Sequence, residues 1–280
     1  MDIVEKRAVG LLVLEVINSN PNGDPDRESD PRQRLDGYGE ISPVSFKRKL
    51  RDLVENKEGP VWKELSKELN LNPEEFEILE SRQTELKIIR SLGEREFIQR
   101  YWDGRIFGNT ELEKRRKIPV KTGVVQFGMG ISVAPIHIER LTTTNPPVQG
   151  DKTRGMAPLG YRVVQHGVYC MPFFVNPSVA HKSGCTTKDI ELMLKLIPYA
   201  YSHTRSYIRP QVEIRHAWYA EHKSPLGSFS DQEFIAAMTP KKKNEPDRPS
   251  ICWDDYLVPC ELPESLNHKV EKFIDLVEQI

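Results

Sequence analysis

The sequence lacks an excess of either charge. Its 280 residues include 40 basic and 41 acidic side chains, so the formal net charge is −1. Bulk electrostatics therefore does not indicate a nucleic-acid-binding protein, and such a function has to come from local segregation of charge. Segregation is visible, because acids concentrate in residues 55–96 while basic side chains predominate in residues 27–51, 112–121, 140–165 and 239–248.

Cysteine and long apolar runs are also scarce. The four cysteines, at positions 170, 185, 252 and 260, form no Cys-x-x-Cys pair and show no zinc-ligand spacing. This use of cysteine favours a protein that resides in the reducing environment of the cytosol. The apolar run that ends at Ile17 is too short to span a bilayer, and the residues before it carry several charges. We therefore expect a cytoplasmic protein that does not contact a membrane.

Signatures of catalysis are sparse as well. The spacing of Gly123 and Gly128 suggests a phosphate-binding loop, but the Gly-Lys-Ser/Thr that completes one is missing. The seven histidines show no pairing that would support general acid–base chemistry. No internal repeat is present. We expect no cofactor and no metal.

A turn-rich loop behind a strand is the most informative feature that is present. The apolar stretch Arg7–Ile17 predicts a buried strand, and the loop Asn18–Asp26 follows it directly. Its glycine and prolines are typical of a tight turn. The side-chain amides of Asn18, Asn20 and Asn22 also offer donors and acceptors to a polar ligand. A well-formed turn without a ligand is the alternative.

A basic helix follows this loop. Ser42 and Pro43 are a typical helix start, with serine at the N-cap and proline at the first helical position. One face of the predicted helix is apolar, at Phe46, Leu50, Leu53 and Val54. The remaining positions hold four cations and no acid, namely Lys47, Arg48, Lys49 and Arg51. An unmixed basic face favours binding to the phosphates of a polyanion, and a merely solvated face is the alternative.

The predicted elements follow the order β, α, β, β, α, β. This is the α+β arrangement of ferredoxin-like, RRM-type folds, whose sheet commonly offers an open face to single-stranded nucleic acid. Charged helical segments in residues 60–100 indicate an insertion, and Thr186 to Asp189 predicts a capped helix start. Apolar residues at helical spacing predict a further helix over Glu264–Gln279.

Several of these features resemble the Cas7 family, the RAMP-type backbone subunits of type I CRISPR effector complexes (Cascade). The resemblance runs from about residue 8 to about residue 220, and the type I-C branch is the most similar. It rests on the loop Asn18–Asp26, the basic helix at 47–51, Phe107-Gly108, the strand pair Thr122–Ile131 and the strand His166–Tyr169.

The resemblance implies one elaborated domain, residues 1–280, shaped like a hand. It comprises an RRM-type palm, a helical fingers insertion, an extended β-hairpin thumb and a C-terminal extension. We expect the palm at about 1–56, 119–134 and 163–224, the fingers at about 57–118, the thumb at about 135–162 and the extension at about 225–280.

The resemblance also implies the residues that bind guide RNA. Because a guide carries any sequence, the contacts should go to phosphate and sugar. The expected RNA-binding residues are Asn18, Asn20, Asn22, Lys47, Arg48, Lys49, Arg51, Arg105, Gln126, Arg140, Thr142, Lys152 and Arg154. Leu141 and Met156 in the thumb are the expected apolar wedges between bases.

A non-catalytic scaffold is the function that the resemblance implies. Copies of the chain would form a helical filament along one crRNA, join other Cascade subunits and engage target DNA through the guide. Two alternatives stay open. One is an RNA-cleaving, type III-like homologue that uses a loop aspartate, with Mg²⁺ held among Asp24, Asp26, Asp30 and Asp36. The other is a partner-binding module without nucleic acid. The charged run Glu111–Lys117 is either a loop near the nucleic acid or solvated surface.

Overall fold

The computed structural model describes residues 2–81, 91–108, 122–145 and 157–279. Within these ranges the chain has a mixed α+β fold, and its main sheet has eight strands, all paired antiparallel. This confirms the predicted α+β class. None of the helices described has the length and apolar character that crossing a bilayer requires.

The strands are numbered along the chain. They are β1 Ala8–Ser19, β2 Gly23–Asp24, β3 Asp30–Pro31, β4 Tyr38–Ile41, β5 Val125–Phe127, β6 Gly130–Pro135, β7 Ile138–Asn145, β8 Ala157–Val175, β9 Val212–His222, β10 Lys241–Lys242, β11 Tyr256–Leu257 and β12 Val270–Asp275.

The α-helices described are numbered in the same way. They are α1 Pro43–Glu55, α2 Pro60–Glu68, α3 Glu94–Arg100, α4 Trp102–Phe107, α5 Ala180–Ser183, α6 Thr187–Leu196, α7 Asp231–Met238 and α8 Glu264–Asn267. Short 3-10 helices cover Pro25–Arg27, Pro73–Glu75, Pro177–Val179, Ile197–Tyr199 and Trp253–Asp255.

The main sheet has the spatial order β12-β9-β1-β8-β6-β4, and β5 and β7 also pair with β8. Strand β1 lies between its partners, so that Ala8 is opposite both Val175 of β8 and Glu221 of β9. Residues 8–16 are all buried. A strand covered on both faces needs a continuous apolar run rather than an alternating one, and residues 8–14 provide it.

Each face of the sheet carries its own apolar core. On one face, Leu12 of β1 shares a core with Leu50 of α1 and Leu192 of α6. On the opposite face, Leu11 packs in a second core with Phe234 of α7, and this core extends to Val270. Residues 229–266 therefore cover the second face of β1, β8 and β9, while β12 extends the sheet at its edge. These three strands are therefore covered on both faces, and about 1.5–3 kcal/mol for each buried aliphatic side chain holds the cover in place.

The two long helices against the sheet begin as predicted. The Ser42 hydroxyl accepts a hydrogen bond from the Ser45 amide at 3.2 Å, with Pro43 at the first position of α1. In α6 the Thr186 hydroxyl accepts from the Asp189 amide, and the Asp189 carboxylate accepts from the Thr186 amide at 2.7 Å. These local contacts satisfy amides that have no partner within the helix.

The C-terminal region departs from its predicted helix. Only Glu264–Asn267 is helical, and Val270–Asp275 forms the edge strand β12, paired with β9. The free edge of β9 offers a row of backbone donors and acceptors, and pairing with that row satisfies the segment's backbone. This tertiary contact overrides the helical spacing of the apolar residues.

Candidate nucleic-acid interface

Three parts of the chain contact the loop between the 3-10 helix Ile197–Tyr199 and β9, which we call the 202–211 loop. Helix α1 contacts it through Lys49 and Thr204. The Asn18–Asp26 loop contacts it through Asn20, whose backbone oxygen accepts from Arg209 Nε at 2.8 Å. The β7–β8 hairpin contacts it through the rings of Tyr161 and Tyr207, whose centroids lie 5.5 Å apart. The structure thus brings together three of the segments that the sequence singles out.

The cations of α1 do not share one exposed face. Arg48 donates to Asp52 at 2.7 Å and to Glu55 at 2.9 Å, both on its own helix. It also donates to the backbone oxygen of Glu80 at 2.6 Å. The prediction of an unmixed basic face is wrong, because acids from α1 and from the segment around residue 80 complete the helix surface.

Two of the predicted RNA-binding arginines are buried in internal ion pairs. Arg51 is 4% exposed and donates to Asp103 of α4 at 2.8 Å. Arg105 is also buried and donates to both carboxylate oxygens of Asp189, at 3.0 and 2.8 Å. In each of these charge-assisted pairs, the guanidinium is already bound to a carboxylate of the protein itself. The predicted phosphate contacts of Arg51 and Arg105 are therefore replaced by a role in holding α1, α4 and α6 together.

The two lysines of α1 have no carboxylate within 4 Å among the described residues. Lys47 lies over the ring of Phe107, 5.1 Å from its centroid, and burial followed by the charge of Arg51 lowers the pKa of Lys47. Lys49 is 6% exposed, donates to the Thr204 hydroxyl at 2.8 Å and lies over the Tyr201 ring. Burial, followed by the charge of Arg209, lowers the pKa of Lys49 to about 8. Both lysines keep hydrogen-bonding capacity for an anion.

The asparagines of the first loop have different surroundings. Asn18 is exposed and has a φ of 44°, a left-handed conformation that asparagine tolerates. Asn20 is buried, and its amide donates to the Ser29 backbone oxygen at 2.8 Å. Asn22 is buried too, and its side-chain oxygen accepts from the Ser42 amide at 2.7 Å. Asn22 holds the loop against the start of α1, Asn20 closes the loop onto Ser29, and Asn18 is the exposed one of the three.

The described part of the hairpin carries an exposed basic side chain. Arg140 of β7 is exposed and lies opposite Arg162 of β8, which forms an ion pair with Asp30. Leu141 is half-buried opposite Tyr161, and Thr142 is exposed opposite Gly160. The other predicted hairpin residues, Lys152, Arg154 and Met156, lie outside the described residues.

Gln126 lies far from Arg140 and the described part of the hairpin. It is exposed on β5, where it pairs with Phe174 near the end of β8, whereas Arg140 pairs with Arg162 near its beginning. Twelve residues of strand separate the two positions on β8, which corresponds to roughly 40 Å. Gln126 therefore does not belong to the same contact surface.

The aspartates of the first loop serve the turn and its ion pairs. Asp24 accepts from the Asp26 amide at 3.2 Å and lies 3.8 Å from Arg32. Asp30 pairs with Arg162, and Asp36 pairs with Arg34 at 3.2 Å. Over the described ranges, no group of three or more His, Cys, Asp or Glu side chains is placed to hold a metal ion.

One acid–histidine–serine arrangement is present beneath the C-terminal segment. His166 lies 3.1 Å from Glu15 through Nε2 and 2.7 Å from the Ser250 hydroxyl through Nδ1. The Tyr256 hydroxyl also donates to Ser250, at 2.8 Å. All of these side chains are buried, and each contacts another member of the group. The arrangement fixes residues 250–256 to the sheet through satisfied polar contacts.

The sequence analysis missed the 202–211 loop. Its run His-Thr-Arg-Ser-Tyr-Ile-Arg at 203–209 interleaves cations and rings, which is typical of single-stranded nucleic-acid contacts. Tyr207 is 64% exposed, and Arg209 is partly exposed. This composition is a readable signal, although only the fold shows that it lies beside Lys49.

Comparisons with known proteins place this geometry in context. No curated protein matches the chain. It is similar to a chain of "CRISPR RNA-guided surveillance complex, pre-nicking", with 14% identity, a TM-score of 0.47 and coverage of 76% of this chain and 78% of that one. A chain of "CRISPR RNA-guided surveillance complex" has 15% identity, a TM-score of 0.40 and coverage of 75% and 68%. A chain of "Cryo-EM structure of the Type III-B Cmr-beta bound to cognate target RNA" has 14% identity, a TM-score of 0.38 and coverage of 76% and 60%.

A family match gives the assignment. Residues 6–261 match the family described as CRISPR-associated protein Cas7, and the matched range contains α1, the hairpin strands and the 202–211 loop. Because this match spans most of the sequence, the chain belongs to the Cas7 family of CRISPR-associated proteins.

Proposed function

We propose that the chain is a non-catalytic backbone subunit of a CRISPR RNA-guided surveillance complex that binds guide RNA by its phosphates and sugars. Family membership supports this proposal. The observation that carries it is the convergence of Lys49 and Arg209 with the exposed ring of Tyr207, which meets Tyr161 of the β7–β8 hairpin. Cations and rings together suit a flexible, charged strand of any sequence.

The architecture fits the parts of such a subunit. The chain order β1-α1-β6-β8-α6-β9 and the spatial order β9-β1-β8-β6 agree with a ferredoxin-like, RRM-type palm. The β7–β8 hairpin fits a thumb, and α2 to α4 fit a fingers insertion. Because residues 229–266 cover one sheet face, we place the guide at the hairpin base beside α1 rather than on that face.

We further propose a type I complex, similar to type I-C, that acts in the cytoplasm. Copies of the chain would form a helical filament along the crRNA with other Cascade subunits, and target DNA would be engaged through the guide. Each copy then needs only a few cations, because many copies on one RNA act together. This explains how a chain of net charge −1 can serve as an RNA-binding scaffold.

The RNA-cleaving alternative has a direct test. Asp24 caps the 3-10 helix Pro25–Arg27 and lies near Arg32, so its carboxylate is already used in the turn. We expect no Mg²⁺-dependent cleavage of bound RNA by the wild-type chain. Cleavage that is lost on substitution Asp24→Asn would identify the type III-like homologue instead.

Binding to single-stranded RNA separates the scaffold from a module that binds no nucleic acid. We expect Arg140→Gln to weaken binding to two labelled RNAs of unrelated sequence by the same factor. Loss of one phosphate contact should lower the salt dependence, the slope of log K against log salt, by about 0.7. Lys63→Gln, an exposed lysine on α2, is the matched control. Equal binding by wild type and Arg140→Gln would remove the hairpin from the interface.

A further inference from the structure

Lys49 is a buried cation with no carboxylate within 4 Å among the described residues, and the charge of Asp52 acts on it only from a longer distance. Arg51 and Arg105 are equally buried, and each has a carboxylate partner at 2.8 Å. Among the described residues, the Lys49 ammonium has only the Thr204 hydroxyl and the Tyr201 ring. Buried charges in proteins are normally paired, because desolvation of an unpaired one costs several kcal/mol. The surroundings of Lys49 therefore suit an anion that the protein itself does not supply.

Arg209 is the second cation at this position. Its Nε atom donates to the Asn20 backbone oxygen, and no carboxylate in the described ranges lies within 4 Å of its guanidinium. The charge of Arg209 contributes to the lowered pKa of Lys49, second only to burial. Two cations that repel each other across a common space are stabilised by an anion bound between them.

Nearby polar atoms also lack partners in the protein. The Asn20 side-chain oxygen and the Tyr201 hydroxyl are buried and accept or donate no hydrogen bond among the described residues. Asn20 contacts Arg209 through its backbone, and Tyr201 lies under Lys49. They are two of the four buried side-chain atoms in the described ranges that lack a hydrogen-bond partner, and the others are Arg32 Nε and the Tyr169 hydroxyl. Since nearly all buried polar atoms are hydrogen-bonded, two such atoms beside Lys49 and Arg209 suit a site that receives a ligand.

An aromatic ring stands next to these cations. The turn Ser206–Arg209, closed by the Arg209 amide and the Ser206 oxygen at 2.9 Å, carries Tyr207 at its second position. The ring of Tyr207 is 64% exposed and meets Tyr161 edge-on, at an interplanar angle of 64°. The edge contact fixes the ring while the exposure leaves it open for stacking.

We propose that Lys49 and Arg209 bind one backbone phosphate of single-stranded RNA and that Tyr207 stacks the adjacent base, so that the 202–211 loop forms a one-nucleotide subsite. Ammonium and guanidinium groups donate charge-assisted hydrogen bonds to the phosphate oxygens. Stacking on a ring tolerates every base, which a guide of variable sequence requires. This subsite rests on the proposed guide-binding function. It places one guide contact in a segment outside the hairpin and the first loop.

The test is a double-mutant cycle on binding of a labelled oligouridylate, measured by fluorescence anisotropy over a salt series. We expect Lys49→Met and Arg209→Gln each to lower the salt slope by about 0.7. The double variant should lose little more than either single variant, because both residues hold the same phosphate. Lys272→Gln, which removes one exposed charge on β12, should leave affinity and slope unchanged.

Tyr207 provides a second measurement that does not depend on charge. We expect Tyr207→Ala to weaken oligouridylate binding about tenfold at every salt concentration, with an unchanged slope. Tyr207→Phe keeps the ring and should bind like the wild type. Melting curves of all variants establish that they fold.

The outcomes distinguish the subsite from the guide-binding function. Wild-type binding with the predicted losses supports the subsite. Wild-type binding that is unchanged in folded Lys49→Met, Arg209→Gln and Tyr207→Ala variants overturns the subsite and leaves the proposed function intact. Absence of oligouridylate binding by the wild type at low salt overturns both.

Discussion

Arg51 and Asp103 form an ion pair that is almost completely removed from solvent. The Arg51 Nε atom donates to Asp103 over 2.8 Å, and the side chains are 4% and 1% exposed. Asp103 also accepts from the Leu79 amide at 2.6 Å. The pair connects α1 to the helical segments that follow it, so a cation of the basic helix serves the fold.

This pair predicts a large stability loss for Arg51→Met. The substitution leaves the buried Asp103 carboxylate without its cation, which should lower the free energy of unfolding by about 3–5 kcal/mol. Urea unfolding followed by circular dichroism measures it. Lys63→Met, at an exposed position of α2, should change stability by no more than about 0.5 kcal/mol. A loss for Arg51→Met as small as that of this control would contradict a stabilising role for the Arg51–Asp103 pair.

Lys49→Met should have the opposite effect on stability. It replaces a buried ammonium that lacks a carboxylate partner with an apolar side chain of similar length. We expect the melting temperature of the RNA-free chain to stay the same or to rise, while RNA affinity falls. Lys49→Met should thus weaken RNA binding without lowering the stability of the fold. Destabilisation comparable to that of Arg51→Met would show that Lys49 is already satisfied within the fold.

RNA binding should weaken as the pH rises through about 8. Burial and the charge of Arg209 lower the pKa of Lys49 to about 8, below its unfolded value, so the free folded chain begins to lose this proton near pH 8. A bound phosphate favours the protonated form and raises the pKa again, so binding takes up a proton. Affinity measured between pH 7 and 9 should fall for the wild type. The same series on Lys49→Met should be flatter, and an equal fall in both would point to another group.

The same shift predicts how stability depends on pH. Between about pH 8 and the ordinary lysine pKa near 10.5, the unfolded chain binds more protons at Lys49 than the folded chain. The contribution of Lys49 to the free energy of unfolding therefore rises with pH over this window and is constant below it. Comparing urea unfolding of wild type and Lys49→Met at pH 7 and 9.5 isolates this contribution. A rise of the same size in the variant would contradict it.

The centre of the sheet predicts a matched pair of glycine substitutions. A Cβ atom at Gly10 of β1 would lie 2.2 Å from ring atoms of Phe173, so Gly10→Ala should destabilise the chain by about 1–3 kcal/mol. A Cβ atom at Gly104, inside α4, would make ordinary contacts at 3.6 Å with Tyr101. Gly104→Ala should be neutral or stabilising, because alanine favours helix by about 1 kcal/mol. The melting temperatures of the two variants measure these changes in stability. Equal changes for Gly10→Ala and Gly104→Ala would contradict the close packing of Phe173 on Gly10.

Local signals in the sequence predicted much of the fold. The start of α1 at Ser42 and the capping box of Thr186 depend on neighbouring residues, and both are present. The order of strands and helices followed from their apolar patterns. Strand β12 could not be predicted, because its conformation depends on the edge of β9, which lies far away in the sequence.

The candidate site was less predictable for the same reason. Asp103 is 52 residues from Arg51, and Asp189 is 84 residues from Arg105, so the sequence around each arginine gives no sign that it is neutralised. The meeting of Lys49 with the 202–211 loop is likewise a long-range contact. Charge patterns identify cations, but only the fold distinguishes those that are paired from those that are free to bind phosphate.

A guide-RNA scaffold must bind RNA without sequence preference and assemble along it. The most direct measurement is the absorbance ratio at 260 and 280 nm and the native mass of the chain purified alone at moderate and high salt, before and after ribonuclease. The account predicts an RNA-rich, high-mass species that ribonuclease converts to monomer and that high salt weakens. A monomer free of nucleic acid at both salt concentrations, which also fails to bind added single-stranded RNA, would contradict it.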